Sequence, residues 1–153
     1  MANVQTSFRA GARFVVATAW RKHGVPAAVA RQLKKAVRDT MLSVESDIKA
    51  EMRKKKHGRR YYYNGKIHIA SAPGEAPAIR SGALFRAVRS IFTNNGMSGR
   101  IEPRVPGLPK LAEWLEEGTT RMEARPFLNP AYRKRRAAFV KRIKAIVASM
   151  GDE

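Results

Sequence analysis

The chain has 153 residues, 44% apolar and 28% charged, a balance typical of one folded domain rather than of a disordered chain. Thirty-one Lys and Arg residues oppose twelve Asp and Glu residues, so the formal net charge is +19 and a polyanionic or acidic partner is favoured. The absence of cysteine excludes disulfides, cysteine zinc sites and thiol nucleophiles, and the sequence predicts neither a membrane span nor a signal peptide.

The first segment, residues 1–24, is predicted to be an N-terminal extension. Its apolar run ARFVVATAW contains Val15, Val16 and Thr18, whose branched side chains favour a strand. The alanines of the same run leave a short helix open.

A long helix is predicted over residues 25–57. Pro26 suits its first turn, and a helix that reaches about Lys56 would be roughly 45 Å long. Gly58 is the predicted stop. Because its apolar residues form a single stripe, the helix must pack either on the sheet of its own domain or on a neighbouring subunit. The stripe consists of Val29, Leu33, Val37, Met41, Val44, Ile48 and Met52.

Residues 58–70 are predicted to form a basic hairpin that turns at Asn64-Gly65, since this dipeptide suits a two-residue turn. We expect its three consecutive tyrosines to pack on the core. The predicted cross-strand pairs are Tyr63 with Lys66, Tyr62 with Ile67 and Tyr61 with His68.

Residues 71–132, the stretch that carries the family-like motifs quoted below, are predicted to contain two short helices and a second hairpin. A loop rich in proline and glycine precedes a short helix, GALFRAV, for which Ser81 is the predicted N-cap. A second hairpin turns near residues 94–96, and a short helix, KLAEWLEE, ends at Gly118. The predicted apolar side of that helix contains Leu111, Trp114 and Leu115.

The last helix is predicted over residues 129–150, with Asn129 as its cap and Pro130 in its first turn. Its predicted apolar side contains Ala131, Phe139, Ile143, Ile146, Val147 and Met150. Residues 1–153 are therefore expected to form a single α+β domain, in which a long N-terminal helix and a C-terminal helix pack on a small antiparallel sheet with short connecting helices.

No catalytic constellation is present in the sequence. The three histidines are scattered, and no phosphate-binding or nucleophile motif occurs. Glu116 and Glu117 are adjacent, so on a helix they diverge by about 100° and cannot act as an acid–base pair. We expect no enzyme activity, no cofactor and no metal.

The basic run RKKKHGRR is the first candidate binding surface. It can face DNA phosphates or an acidic surface, and contact with the nucleic-acid backbone would lack sequence specificity. The alternative is a solvated helix end. The candidate residues are Arg53, Lys54, Lys55, Lys56, Arg59 and Arg60.

The acidic stretch around WLEEGTTRMEARPFLNPA is the second candidate surface. Glu116 and Glu117 lie at a predicted helix C-terminus, where the helix dipole makes each exposed acid unfavourable by about 0.3–1 kcal/mol. Such a conflict indicates an interface, unless the helix is too short for its dipole to matter. We expect Glu113, Glu116 and Glu117 to meet a basic face of the next copy, with Phe127 as the fourth interface candidate.

Two segments, ASAPGEAPAIRSGALFRAVRSI and WLEEGTTRMEARPFLNPAY, resemble in order and spacing the gene-product-ten family of lambdoid, long-tailed bacteriophages. Two positions depart from the family pattern: Ser81 stands where threonine is commoner, and Glu117 where an aromatic is commoner. The matching residues are Gly82, Leu84, Ser90, Ile91, Glu116, Gly118, Thr119, Pro126, Phe127, Leu128, Pro130 and Ala131.

This resemblance implies a head–tail joining or tail-completion protein, that is, a structural protein of the virion assembled in the host cytoplasm. The implied subunit belongs to a hexameric ring of the neck, which joins head connector to tail and surrounds the DNA channel. The implied partners are further copies, other neck, connector or tail-tube proteins, and genomic DNA contacted only through its backbone. The alternative function is a free nucleic-acid-binding protein without sequence specificity.

Overall fold

A computed structural model of the chain describes residues 2–8, 12–18 and 24–149. The strands are β1 (Ala2–Phe8), β2 (Ala12–Thr18), β3 (Arg60–Tyr63), β4 (Lys66–Ile69), β5 (Ile91–Thr93) and β6 (Ser98–Ile101). The helices are α1 (Ala27–Arg53), α2 (Ala83–Ala87), α3 (Leu111–Glu117) and α4 (Leu128–Ala148). The predicted α+β class, with two long helices, two shorter ones and small antiparallel sheets, is confirmed.

The main sheet has four strands in the order β1-β2-β6-β5, and every neighbouring pair is antiparallel. The favoured strand at the N-terminus is present as β2, and β1 pairs along its whole length, from Ala2 opposite Thr18 to Phe8 opposite Ala12. The segment predicted as an extension therefore contributes half of this sheet. Trp20, the end of the apolar run, lies outside the described residues.

The second predicted hairpin is present as β5 and β6, joined by a 3-10 turn at Asn94–Gly96. Asn94 and Asn95 both adopt positive φ angles, of 50° and 52°, and Gly96 follows with 83°. Asparagine and glycine tolerate this conformation better than other residues, which explains why the turn forms at these positions.

The apolar stripe of α1 forms the centre of the core within this one chain. From Leu33 to Met52 its members are buried, and they share one cluster with Val88, Ile101 and residues of α4. Gly99 of β6 crosses directly over Met41, where a Cβ atom would collide with the methionine side chain. The stripe thus packs inside the subunit, which decides between the two alternatives left by the sequence.

The end of α1 differs from the prediction. The helix ends at Arg53, short of Lys56, and Gly58 does not stop it. Gly58 instead donates its N–H to the carbonyl of Ala70 at 2.9 Å, and a Cβ atom there would lie 2.5 Å from that oxygen and 2.7 Å from the carbonyl carbon of Ser71. This glycine is needed because two backbone segments approach closely at the base of the hairpin.

The basic hairpin has the predicted register, with Tyr63 opposite Lys66 and Tyr61 opposite His68. The expectation that its tyrosines pack on the core is wrong for Tyr62, which is 73% exposed, and Tyr63 is 39% exposed. β3 and β4 form a two-stranded sheet separate from the main one, so one hairpin face has no core to cover it.

The two short helices are present with shifted details. Ser81 Oγ accepts the N–H of Ala83 at 3.3 Å, but Gly82, with φ 78°, is the residue that precedes α2. Gly118 ends α3 as predicted, with φ 79°. The predicted apolar side of α3 is wrong for Trp114, which is 41% exposed, while Ala112 is buried.

Ion pairs between α1 and α4 hold the long helices together. Asp47 accepts two hydrogen bonds from the guanidinium of Arg135, at 2.7 and 2.9 Å, and Asp39 accepts one from Arg142 at 3.0 Å. The hydrogen bond from Arg135 holds the pKa of the Asp47 carboxyl below its usual value. The α4 residues on the core side are Leu128, Ala131, Tyr132, Phe139 and Ile143, while Met150 lies outside the described residues.

Candidate assembly and polyanion-facing surfaces

Glu116 caps the N-terminus of α4 from the end of α3. Its carboxylate oxygens accept the backbone N–H groups of Phe127 at 2.9 Å, Leu128 at 3.0 Å and Asn129 at 2.8 Å. The next residue, Pro130, has no N–H, so every first-turn donor of α4 is accounted for. The predicted cap, Asn129, is instead one of the donors, and a negative charge at this helix end is also favoured by the helix dipole.

Glu116 and Phe127 are therefore poor interface candidates, which corrects the sequence-based expectation. The Glu116 carboxylate is engaged inside the subunit, and the Phe127 side chain is 1% exposed within the core cluster. Phe127, named above as an interface candidate, is instead part of the core at the start of α4. No local pattern reveals the Glu116 contact, since its partners lie eleven to thirteen residues away.

The turn between α3 and α4 is as tightly built as the cap. A Cβ atom on Gly118 would lie 2.9 Å from the backbone nitrogen of Ala124 and from the carbonyl oxygen of Met122. Thr119 exchanges backbone hydrogen bonds with Met122, of 2.7 and 3.3 Å. The residues that resemble the phage family in this stretch thus have structural roles in this chain: they join α3 to α4 in a fixed geometry.

Three carboxylates remain without a partner in the described part of the chain, and all three lie in this same segment. Glu113, Glu117 and Glu123 are exposed and make neither a hydrogen bond nor an ion pair with their side chains. Every other described carboxylate has a partner, from the cap of Glu116 to the weak contacts of Glu102 with Arg100 and Arg104 at 3.8 and 3.9 Å. Two of the four predicted interface residues, Glu113 and Glu117, therefore keep side chains available to another molecule.

The basic run at the end of α1 divides into engaged and available cations. Arg53 lies over the ring of Phe85 at 4.8 Å, and Lys54 pairs with Glu51 at 2.6 Å. Lys55, Arg59 and Arg60 are exposed and make no ion pair with described residues. Of the six predicted cations, these three alone could contact a phosphate or an acidic surface without first breaking a contact within the subunit.

Lys56 is a correction to the predicted surface. It is 9% exposed, and its Nζ donates to the carbonyl of Glu51 at 2.8 Å. Burial lowers the pKa of its ammonium group. Its role is to satisfy a carbonyl in the last turn of α1, where a cation also complements the helix dipole.

The basic hairpin presents two different faces next to this run. On one face Tyr61 stacks on His68, with ring centres 5.7 Å apart, and Arg80 lies 4.7 Å from the ring centre of Tyr63. On the other face Tyr62, Ile67 and Ile69 are 73%, 55% and 43% exposed. Exposed aromatics among cations suit base stacking or an apolar partner, and the packing prediction fails most clearly for Tyr62.

A groove rich in arginine, which the sequence does not predict, lies on another part of the surface. It encloses about 860 Å³ between α2, β5 and the segment after β6, and four arginines line it with only one carboxylate, Glu102. The Nε of Arg100 is buried there and has no hydrogen-bond partner among the described residues. No cluster in the sequence marks this groove, because its cations come from two separated segments. The arginines are Arg86, Arg89, Arg100 and Arg104.

The described residues were also compared with the requirements of a metal site and of a membrane span. The described residues contain no group of His, Asp or Glu side chains that could hold a metal ion, and none of their helices is long and apolar enough to cross a membrane. Comparison of the chain with protein-family models, with curated proteins and with solved structures finds no match in any of the three.

Proposed function

We propose that this chain is a structural subunit of a bacteriophage neck or tail ring, which joins the head connector to the tail and surrounds the DNA channel. The partners proposed for it are further copies in a hexamer, neighbouring neck, connector or tail-tube proteins, and the genomic DNA. Its place would be the virion, after assembly in the host cytoplasm. The resemblance of ASAPGEAPAIRSGALFRAVRSI and WLEEGTTRMEARPFLNPAY to the phage family supports this proposal.

The single observation that carries the proposal is the segregation of unpaired charge. The available carboxylates Glu113, Glu117 and Glu123 all lie in one segment, with a single available cation, Arg121, among them, whereas most available cations of the described residues lie on other parts of the surface. A chain of net charge +19 repels its own copies unless such an edge meets a basic face. Two different patches on one subunit that complement each other produce a head-to-tail contact, which closes into a ring when its rotation allows.

The cationic surfaces support the other part of the proposal, which is contact with the DNA backbone. The arginine groove and the cations Lys55, Arg59 and Arg60 can contact phosphates, and guanidinium groups bind phosphate oxygens in a two-pronged geometry. Such contacts do not read bases, which suits a channel through which the whole genome passes.

The test is the oligomeric state of the purified chain, measured by sedimentation velocity and by negative-stain imaging at low and at high salt. We expect closed rings at low salt that dissociate as salt screens the contact. Glu113→Lys with Glu117→Lys should weaken assembly, whereas Glu102→Lys should not. A chain that stays monomeric under all conditions contradicts the proposal.

The second candidate function is free nucleic-acid binding without sequence specificity. The arginine groove and the exposed Tyr62 favour it. It predicts tight binding of the monomer to duplex DNA with a steep salt dependence, whereas the ring proposal predicts weak binding by the monomer. Titration of labelled duplex DNA at several salt concentrations, with the oligomeric state measured in parallel, separates the two.

A further inference from the structure

We propose that the outer face of α4 is the surface that receives α3 of the next copy. This inference rests on the proposed ring and adds to it the second half of the contact between subunits. The occupant is a second copy of this chain, and the argument for it is the complementarity of the two helix faces in charge and in shape.

The outward face of α3 combines an aromatic ring with negative charge. Glu117 lies four residues after Glu113 and three after Trp114, so the three side chains occupy an arc of about 100° on one side of the helix. All three are exposed, with Trp114 at 41%. An exposed tryptophan is a suitable centre for a binding hot spot, because tryptophan is enriched among the residues that carry most of the binding energy of interfaces.

The outward face of α4 has the opposite character. A shallow groove of about 630 Å³ runs along it, with small apolar side chains, Ala137 and Val140, between flanking cations. Ala137 is exposed and Val140 half-buried, so a neighbouring ring could settle between the cations. Among the flanking cations, Arg133, Lys141 and Lys144 make neither an ion pair nor a ring contact with the described part of the chain.

These cations differ from those on the inner flank of the same helix. Lys134, Arg135 and Arg142 are bound to Asp47 and Asp39 of α1. No acid among the described residues pairs with Arg133, Lys141 or Lys144 on the outer flank. The described part of the chain thus pairs the cations of one α4 flank internally and leaves these three for an external acid.

The two faces fit each other better than either fits itself. Two α3 faces brought together would oppose Glu117 to Glu117, and two α4 faces would oppose lysine to lysine, which costs several kcal/mol for close like charges. Contact of α3 with α4 instead pairs Glu113 and Glu117 with Lys141 and Lys144 and seats Trp114 against Ala137 and Val140. The chemistry selects the head-to-tail arrangement.

Cysteine cross-linking tests this contact, since the wild-type chain contains no cysteine. A chain carrying both Glu117→Cys and Ala137→Cys is oxidised at assembly concentration. We expect a ladder of disulfide-linked species that extends beyond dimers. The matched control combines Glu117→Cys with Ala50→Cys, an exposed alanine on α1, and should give no ladder.

The outcomes separate this inference from the ring itself. If oligomers form but residues 117 and 137 do not cross-link, or if cross-linking stops at dimers, the α3–α4 contact is wrong while the ring proposal stands. If neither sedimentation nor a lysine-directed cross-linker detects any oligomer, both are overturned.

Exchange of the charges between α3 and α4 distinguishes loss of the contact from misfolding, because a misfolded variant would not regain self-association when both faces are reversed. Glu113→Lys with Glu117→Lys, and separately Lys141→Glu with Lys144→Glu, should each weaken self-association by at least about tenfold. All four substitutions in one chain should restore it. Failure of the combined variant to recover, when each pair alone weakens assembly, would overturn the contact.

Discussion

Glu116 and Phe127 are joined by a hydrogen bond of 2.9 Å from the Phe127 backbone N–H to a Glu116 carboxylate oxygen. This bond is the first of three that cap α4, so the acid contributes to stability through a helix other than its own. We expect Glu116→Ala to lower the free energy of unfolding by about 1–2 kcal/mol, the usual cost of losing a helix cap. Urea denaturation measures it.

The neighbouring Glu117 is the control for this prediction. It is exposed and has no partner in the described chain, so Glu117→Ala should change stability by less than about 0.5 kcal/mol. Equal effects of the two substitutions would show that the cap is not a stabilising contact.

Acid should weaken the connection between α1 and α4. Because Arg135 holds the folded-state pKa of Asp47 below its ordinary value, the contribution of this carboxylate is complete above its unfolded-state pKa and is lost as pH falls through the folded-state pKa. Asp47→Asn should therefore cost about 1–2 kcal/mol at neutral pH, and the difference from wild type should shrink below about pH 4. Urea denaturation at a series of pH values gives this difference.

Glu51→Gln is the matched comparison, since Glu51 forms an exposed pair with Lys54 at the end of the same helix. Its effect should stay below about 1 kcal/mol throughout. A difference between wild type and Asp47→Asn that does not change with acid would contradict the role assigned to the ion pair.

Two glycines of the basic hairpin should respond differently to alanine. Gly58 has no room for a Cβ atom, so Gly58→Ala must displace the backbone at Ala70 and should cost about 3 kcal/mol. Gly65 has φ 74° but open space around it, so Gly65→Ala should cost only about 1 kcal/mol of backbone strain. Thermal unfolding ranks the two, and a larger loss for Gly65→Ala would refute the crowding argument.

The basic run at the end of α1 should contribute unequally to contact with DNA. Lys55→Gln, Arg59→Gln and Arg60→Gln should each reduce the slope of log K against log salt by about 1, because each removes an available cation. Lys56→Gln should leave the slope unchanged, since its ammonium group is buried on the Glu51 carbonyl. Binding isotherms on one duplex at several salt concentrations measure the slopes. A Lys56→Gln slope reduced like the others would place this lysine at the phosphates.

The sequence predicts what depends on local periodicity and turn chemistry. The stripe from Leu33 to Met52, the Asn64-Gly65 turn and the end of α3 at Gly118 are all in place. What it could not predict depends on approaches between distant segments. Gly58 was predicted to end α1, because the sequence does not show that this glycine lies against the carbonyl of Ala70. Glu116 was predicted to be unfavourable at the C-terminus of α3, because the sequence does not show that its carboxylate binds the N-terminus of α4.

The candidate surfaces, too, are predictable from the sequence only where they depend on neighbouring residues and not on contacts between distant segments. A dense run such as Arg53–Arg60 is conspicuous in the sequence, yet three of its cations are already engaged within the subunit. The arginine groove is inconspicuous because its members alternate with apolar residues in two segments, and only the packing of α2 beside β6 brings them together. Charge density along a chain therefore overstates the charge that a neighbour meets.

In the proposed ring, the cap of α4 would also fix how a subunit is oriented toward its neighbours. If α3 carries one half of the contact and α4 the other, the three hydrogen bonds of Glu116 keep the two halves at a constant angle. The curvature of an assembly, and with it the number of copies that close a circle, is then set inside each subunit rather than at the contact between them. In the proposed ring, a substitution at residue 116 would change the diameter without altering any residue of the contact between subunits.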